Sequence, residues 1–340
     1  MFKLLAIVLL ATTALASKRY DNFKVFEIEG KTDEQIAAIN ELERKSSLLL
    51  DVWRGAGREL PAHISVSPQQ QGAFKRKLQE LGLDFKVVVE NVQDQIDEVD
   101  RQMNAIPKNA RNILNSYYNY EQNKDYLEGL RSQYNDRMSI VNFGKSRYNR
   151  DLFYVKLSSD RYSSEKPEDS KKQVIWMEST THAREWITNA CILNLIEWLM
   201  ANYGSDSDAT FMLDKFDWFI VPVQNPDGYA YSFSNDRMWR KTRTTGSCIS
   251  WQGQGNGVDP NRNWSYGWGI NGQTNRCAAD YQGPSALSEP CTSSMAAEMD
   301  KTPSQYRKAF LSLHSYSQLI LTPYGYDRYA SVPNYSEQVS

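Results

Sequence analysis

Val174-Ile175-Trp176-Met177-Glu178, followed closely by His182-Ala183-Arg184-Glu185-Trp186, is the stretch on which the fold of this chain turns. An unbroken apolar run ending in a carboxylate reads as a strand buried on both faces, as in a parallel sheet. Beyond the His182 segment, Ile187, Cys191, Leu195 and Leu199 recur four apart and predict a helix through Met200. Trp218-Phe219-Ile220-Val221-Pro222-Val223 predicts a second apolar strand, and Phe310 to Leu321 a third. Apolar strands alternating with helices predict an α/β domain whose mixed, largely parallel sheet is flanked by helices on both faces. His182 then lies just past the C-terminal end of a strand, where open α/β sheets place their sites.

The chain has three histidines in 340 residues, and two of them sit in telling places. His182 and Glu185 form an H-x-x-E pair, and His314 follows the apolar run Ala309-Phe310-Leu311-Ser312-Leu313. Two imidazoles and one carboxylate are the ligand set of a catalytic zinc with a fourth position open. A structural zinc would draw on cysteines, and none lies near either histidine.

A formal net charge of -2 without basic clusters argues against nucleic acid as a partner. Lys3, the apolar run Leu4 to Leu10 and Ala14-Leu15-Ala16 read as a secretory signal over residues 1–16, cut after Ala16. No other apolar stretch is long enough to span a bilayer, so a soluble, secreted, extracellular product is expected, with no membrane partner. Secretion permits disulfides. Cys248 and Cys277 lie in Gly/Asn/Ser-rich loop sequence and are the candidate pair; closing a loop of about 30 residues contributes roughly 3–4 kcal/mol in the chain-entropy model. Cys191, inside the apolar helical run, is expected as a buried thiol, and Cys291 has no assigned place.

Residues from 17 to about 95 read as a small separate unit. Strands are predicted at Phe23 to Ile28, Leu48 to Trp53, His63 to Val66 and Phe85 to Val89. One helix starts at the capping box Thr32-x-x-Gln35 and carries Ile36, Ile39 and Leu42. Another is predicted to start at Ser67-Pro68, to carry Phe74, Leu78 and Leu81, and to stop at Gly82. The order β-α-β-β-α-β is that of the ferredoxin-like α+β fold. An exposed helix over Asp94 to Met103 and a stretch holding Arg101, Pro107, Lys108 and Arg111 come next. That stretch reads either as a connector open to a trypsin-like protease or as a solvated charged linker.

Five segments carry a resemblance: His182-Ala183-Arg184-Glu185-Trp186-Ile187, Asn225-Pro226-Asp227-Gly228-Tyr229, Arg237-Met238-Trp239-Arg240-Lys241-Thr242-Arg243, Asp259-Pro260-Asn261-Arg262-Asn263-Trp264, and His314-Ser315-Tyr316-Ser317-Gln318. In order and spacing the chain resembles the secreted zinc metallocarboxypeptidases of the pancreatic A/B type, in procarboxypeptidase form. Thr180-Thr181 before His182 departs from the Gly-Ile expected there. The resemblance implies a signal peptide at 1–16, an activation domain and cleavable connector at 17–111, and a peptidase domain at 112–340. It implies one Zn2+ held by His182, Glu185 and His314, with a zinc-activated water attacking the C-terminal peptide bond. Asp259 resembles the carboxylate behind a zinc-bound histidine. Arg262, aided by Asn261, resembles the clamp for a substrate's terminal carboxylate, for which a guanidinium fork is suited. Arg240 resembles the oxyanion-stabilising residue. Arg184, Arg237, Ser315 and Tyr316 resemble further substrate-binding positions, and Leu321 and Gly325 parts of a side-chain pocket. Peptide and protein C-termini are the implied substrates, a trypsin-like protease the implied activator, and a monomer the implied state.

The family's pattern continues well beyond His314. The resemblance therefore gives this chain no general base, no pocket floor to separate A-type from B-type preference, and an expectation of very poor turnover as written. Two other functions stay open: a catalytically incompetent zinc- and peptide-binding fragment, and a zinc amidohydrolase or deacylase with the same ligand set. Two sequons, Asn263-Trp264-Ser265 and Asn334-Tyr335-Ser336, are also present; burial is expected to protect the first, and the second reads as a surface site.

Overall fold

A computed structural model describes residues 17–45, 47–160, 165–248, 255–326, 332–333 and 336. The expected signal segment, Asn334 and Glu337 lie outside the described residues.

The N-terminal unit runs β1 (Lys24–Ile28), α1 (Asp33–Lys45), β2 (Asp51–Arg54), β3 (Ala62–Val66), α2 (Gln71–Glu80) and β4 (Phe85–Val89), followed by α3 (Val92–Ala105). The sheet order is β2-β3-β1-β4 with every pair antiparallel, as the ferredoxin-like reading requires. Its core joins Phe26, Ile28 and Ile64 of the sheet to Ile39, Leu42, Phe74 and Leu78 of the helices. Two boundaries differ from expectation. The second helix begins at Gln71 instead of Ser67-Pro68, because the Ser67 carbonyl closes a turn with the Gln70 N–H and the helical ladder starts from Gln70. The second strand begins at Asp51; Leu48 and Leu50 serve the core without joining the ladder.

After a single helical turn at Lys108–Ala110 the larger unit comprises α4 (Tyr120–Gln133), β5 (Met138–Lys145), β6 (Asp151–Leu157), β7 (Gln173–Glu178), α5 (Trp186–Asn202), α6 (Ser207–Lys215), β8 (Phe216–Val221), α7 (Pro226–Ser234), α8 (Pro290–Asp300) and β9 (Arg307–Ser312). The sheet order is β5-β6-β8-β7-β9. β7 runs parallel to β8 and β9, whereas β5–β6 and β6–β8 are antiparallel, so the sheet is mixed, with two of the four described pairings parallel. The apolar run of β7 is split by the pleat as expected for a strand covered on both faces. Ile175 and Met177 join the core under α4, α5 and α6; Val174 and Trp176 join the one with Met295 of α8.

The predicted third strand stops at Ser312. Leu319, Ile320 and Leu321 do not continue it but lie exposed in an irregular segment where Gln318 adopts a positive φ of 56°. Cys191 corrects another expectation. It lies on the outer side of α5 and is exposed, because Ile192, Leu193, Ile196, Leu199 and Met200 form the inward stripe. Asn263 is buried and its amide donates to Gln282 O, Ser285 O and Ser288 Oγ, which closes the first sequon to modification.

Candidate metal centre and cleft

β7 ends at Glu178, and the seven residues before α5 form a buried loop whose Ala183 N–H is fixed by the Arg240 carbonyl. The loop turns back on itself through Glu185 N–H to His182 O, bringing both side chains to one side. β9, parallel to β7, delivers His314 to the same place, since Leu313 N–H bonds the Glu178 carbonyl. The ligand atoms of His182, Glu185 and His314 all lie within 4.8 Å of one another. His182 Nδ1 is 2.7 Å from Glu185 Oε1, and His314 Nδ1 is 3.1 Å from both His182 Nδ1 and Glu185 Oε2.

These three residues fit zinc by donor chemistry and by placement. Both histidines turn the same nitrogen, Nδ1, toward the shared point. The other nitrogen of His182 faces Asp259 Oδ1 at 3.1 Å, a carboxylate–histidine arrangement that leaves the Nδ1 lone pair free for a metal. Burial opposes the Glu185 charge, yet the two imidazoles hold its carboxyl well below the usual carboxylate range. Burial likewise opposes the Asp259 charge, which Arg240 and His182 stabilise.

Arg240 donates through Nε and Nη2 to Asp259 Oδ2 at 3.1 and 2.8 Å, which aims its guanidinium at the edge of the metal site. Asn261 is held by its N–H to Asp259 Oδ1. Arg262 makes one bond to the Asn261 carbonyl, while its buried Nε lacks a partner. Arg240 and Arg262 face a cavity of about 650 Å³ whose lining also includes Asp280, Tyr324 and Gly325. Leu321, expected beside Gly325, is instead exposed to solvent. Ser315 N–H donates to Glu185 Oε2. Arg237 stacks 3.7 Å from the Trp186 ring centre and donates to the Arg184 carbonyl, behind Arg184 and away from the cavity. Cys248 and Cys277 are bonded as expected.

The N-terminal unit enters this cleft through groups that no sequence spacing had marked. Asp51 of β2 pairs both carboxylate oxygens with Arg184, at 2.6 and 3.0 Å. His63 Nδ1 lies 2.6 Å from the Tyr316 hydroxyl, and Trp53 packs edge-on to the Tyr316 ring. Glu43 of α1 lines the cavity opposite Arg240 and Arg262. Lys241 was missed as well: it is fully buried, and its ammonium donates to the carbonyls of Gly255, Arg276 and Ala278. Its place in a basic run gave it the look of a surface charge.

The family model described as zinc carboxypeptidase matches residues 123–340, and that described as carboxypeptidase activation peptide matches residues 26–99. Carboxypeptidase A1 of Homo sapiens is 34% identical over 332 residues, covering 95% of this chain and 75% of the relative. Carboxypeptidase A1 of Bos taurus is 33% identical, covering 98% of this chain and 78% of the relative. Among solved structures, carboxypeptidase A from Helicoverpa armigera superposes with a TM-score of 0.77 at 29% identity, covering 88% of this chain and 71% of that one.

Proposed function

Because the chain belongs to the zinc carboxypeptidase family and carries that family's activation peptide, we propose that it is a secreted zymogen whose 112–340 domain takes one zinc ion on His182, Glu185 and His314 and acts on peptide C-termini. Residues 17–111 are then the activation domain and its connector, cut by a trypsin-like protease, and the product is a monomer. The disulfide suits an oxidising compartment, and no described helix is long and apolar enough to cross a membrane.

The observation that carries this assignment is the meeting of three ligand atoms within 4.8 Å beside two arginines that open onto one cavity. When bound, zinc supplies a Lewis acid that polarises a carbonyl and acidifies water. The protein's own residues do the rest. Arg262, with an unpartnered buried Nε, takes the terminal carboxylate together with Asn261. This anchoring selects an exopeptidase cut, since an internal segment has no carboxylate to place there. Arg240, already oriented by Asp259, faces the charge that develops on the scissile carbonyl oxygen and strengthens its hold in the transition state. Arg184, Ser315 and Tyr316 line the channel that receives the upstream residues, with Arg237 supporting Arg184 from behind. No residue of this chain is assigned as general base.

The test uses trypsin-treated protein from which the N-terminal fragment has been removed. Equilibrium dialysis is expected to return one zinc per chain. A blocked dipeptide with a free carboxylate is expected to bind at least about tenfold more tightly than its C-terminal amide, and Arg262→Met to erase that preference, a difference of roughly 1.4 kcal/mol or more. Equal binding of acid and amide would overturn the exopeptidase assignment.

A further inference from the structure

Glu178, the last residue of β7, is 2% exposed and lies behind the metal site without touching its open side. Its two carboxylate oxygens serve both histidine-bearing segments. Oε2 accepts from the Thr181 hydroxyl at 2.5 Å, one residue before His182. Oε1 accepts from the Ser312 hydroxyl, two residues before His314. The main-chain carbonyl of the same glutamate takes the Leu313 N–H at 3.0 Å. One side chain and its peptide group therefore join two segments more than a hundred positions apart.

The contacts point to one tautomer. While Glu178 is a carboxylate, the Ser312 hydroxyl donates its one proton to it, and Ser312 Oγ accepts from His314 Nε2, 3.0 Å away. The other group near Nε2, the Asn261 amide nitrogen, stands at 3.5 Å, at the outer limit of a hydrogen bond. With the proton on Nε2, the Nδ1 lone pair of His314 points at His182 Nδ1 and Glu185. His182 obtains the same outcome directly from Asp259.

We infer that Glu178, acting through Ser312, is a positioning residue that sets the tautomer and orientation of His314 for the metal, and through Thr181 steadies the His182 loop. This inference rests on the metal assignment above and deepens it. The carboxylate–serine–histidine relay is the counterpart, for the third ligand, of the Asp259–His182 pair.

The experiment compares zinc affinity, by competition with a chromophoric chelator, for the parent chain, Glu178→Gln, Ser312→Ala and Ser312→Thr, with thermal unfolding of each metal-free protein in parallel. Loss of an outer partner of this kind is expected to weaken zinc binding about 10–100-fold. Glu178→Gln keeps a single acceptor oxygen for two hydroxyl donors, so it can serve Ser312 or Thr181 but not both, and should weaken zinc binding within that range. Ser312→Thr, which keeps the hydroxyl, should restore affinity to within about threefold of the parent. Ser312 lies on an exposed strand, so its variants remain informative even where Glu178→Gln fails to fold. Unchanged zinc affinity in Ser312→Ala, or equal loss in Ser312→Ala and Ser312→Thr, overturns the relay while leaving the ligand set intact. Failure of the parent to bind zinc overturns both.

Discussion

Arg240 and Lys241 are adjacent in sequence and do opposite things, one facing the cleft and the other the interior. The Lys241 ammonium satisfies three carbonyls, two of which flank Cys277, so the lysine and the disulfide hold the same loop from two sides. Replacing it by methionine leaves those carbonyls buried without a donor, at about 1–3 kcal/mol for each unsatisfied group. Lys241→Met is therefore expected to lose at least about 2 kcal/mol of unfolding free energy in urea titration, and a loss below about 0.5 kcal/mol would show that the loop holds without it. The free cysteines give a cheaper check. Cys191 is exposed on α5, whereas Cys291 is buried and its thiol pushed up to about 12 by burial. A disulfide-exchange reagent should modify one thiol in the folded protein and a second only after denaturation. At this scale the candidate metal ligands were legible because H-x-x-E lies within a single loop and its chemistry is carried by residue type. Lys241, Glu178 and Asp51 were not, because their partners lie far along the chain and a buried lysine looks like a surface one until its acceptors are placed.

β6 shows how a single strand end can hold a layer together. Asp151 opens it and receives Lys124 from α4 at 2.7 Å, Lys145 from β5, and the Asn142 amide at 2.6 Å. The hydrogen bonds from Lys124 and Lys145 hold the carboxyl far below its ordinary range. A depressed carboxylate pKa contributes stability that is fully present above the unfolded value near 3.9 and is lost as pH falls toward the folded one. Asp151→Asn is thus expected to cost about 1–2 kcal/mol at pH 7, discounted for partly exposed lysines, and progressively less below about pH 4. Denaturant titrations of parent and variant at pH 7 and pH 3 measure the difference; a gap that widens on acidification would refute it. α1 and β7 were readable from their apolar residues alone, and α5 was readable as a helix, although the four-apart series that marked it includes Ile187 and Cys191, which face outward. The failures have a common cause. The run from Phe310 to Leu321 has strand-like composition, but composition does not provide a neighbouring ladder, and the positive φ at Gln318 breaks the extended backbone. Ser67-Pro68 has helix-start chemistry, yet the buried serine closes a turn first.

Among the described residues the two units meet both at the cleft and on the side away from it. At the cleft, Asp51 takes Arg184 while His63 and Trp53 cover Tyr316, so the groups assigned to the upstream substrate residues are already engaged. On the far side the Tyr20 hydroxyl donates to Asp236 Oδ1 at 2.7 Å, Lys18 N–H bonds the Asn235 carbonyl, and Met238 packs against Tyr20, Val25 and Val92. Neither contact depends on the connector, whose Arg101 and Lys108 are exposed while Arg111 is tied back to the Met103 and Ile106 carbonyls. Cutting the connector alone therefore leaves the N-terminal unit gripped at both ends, and release is governed by these contacts. Removing one partner of a buried charge pair typically costs 3–5 kcal/mol because the other charge is left unpaired. At the cleft, solvent can reach Arg184 as the interface loosens, so about 3 kcal/mol, or roughly 10²-fold in dissociation constant, is the expected scale. After limited trypsin treatment the parent should keep its N-terminal fragment through gel filtration at micromolar concentration, whereas Asp51→Asn should shed it. The same variant, left uncut, should admit a small free-carboxylate probe faster than the parent. Co-elution of the fragment in both proteins would place the holding energy at the Tyr20–Asp236 side instead, and Tyr20→Phe would then be the variant that releases it.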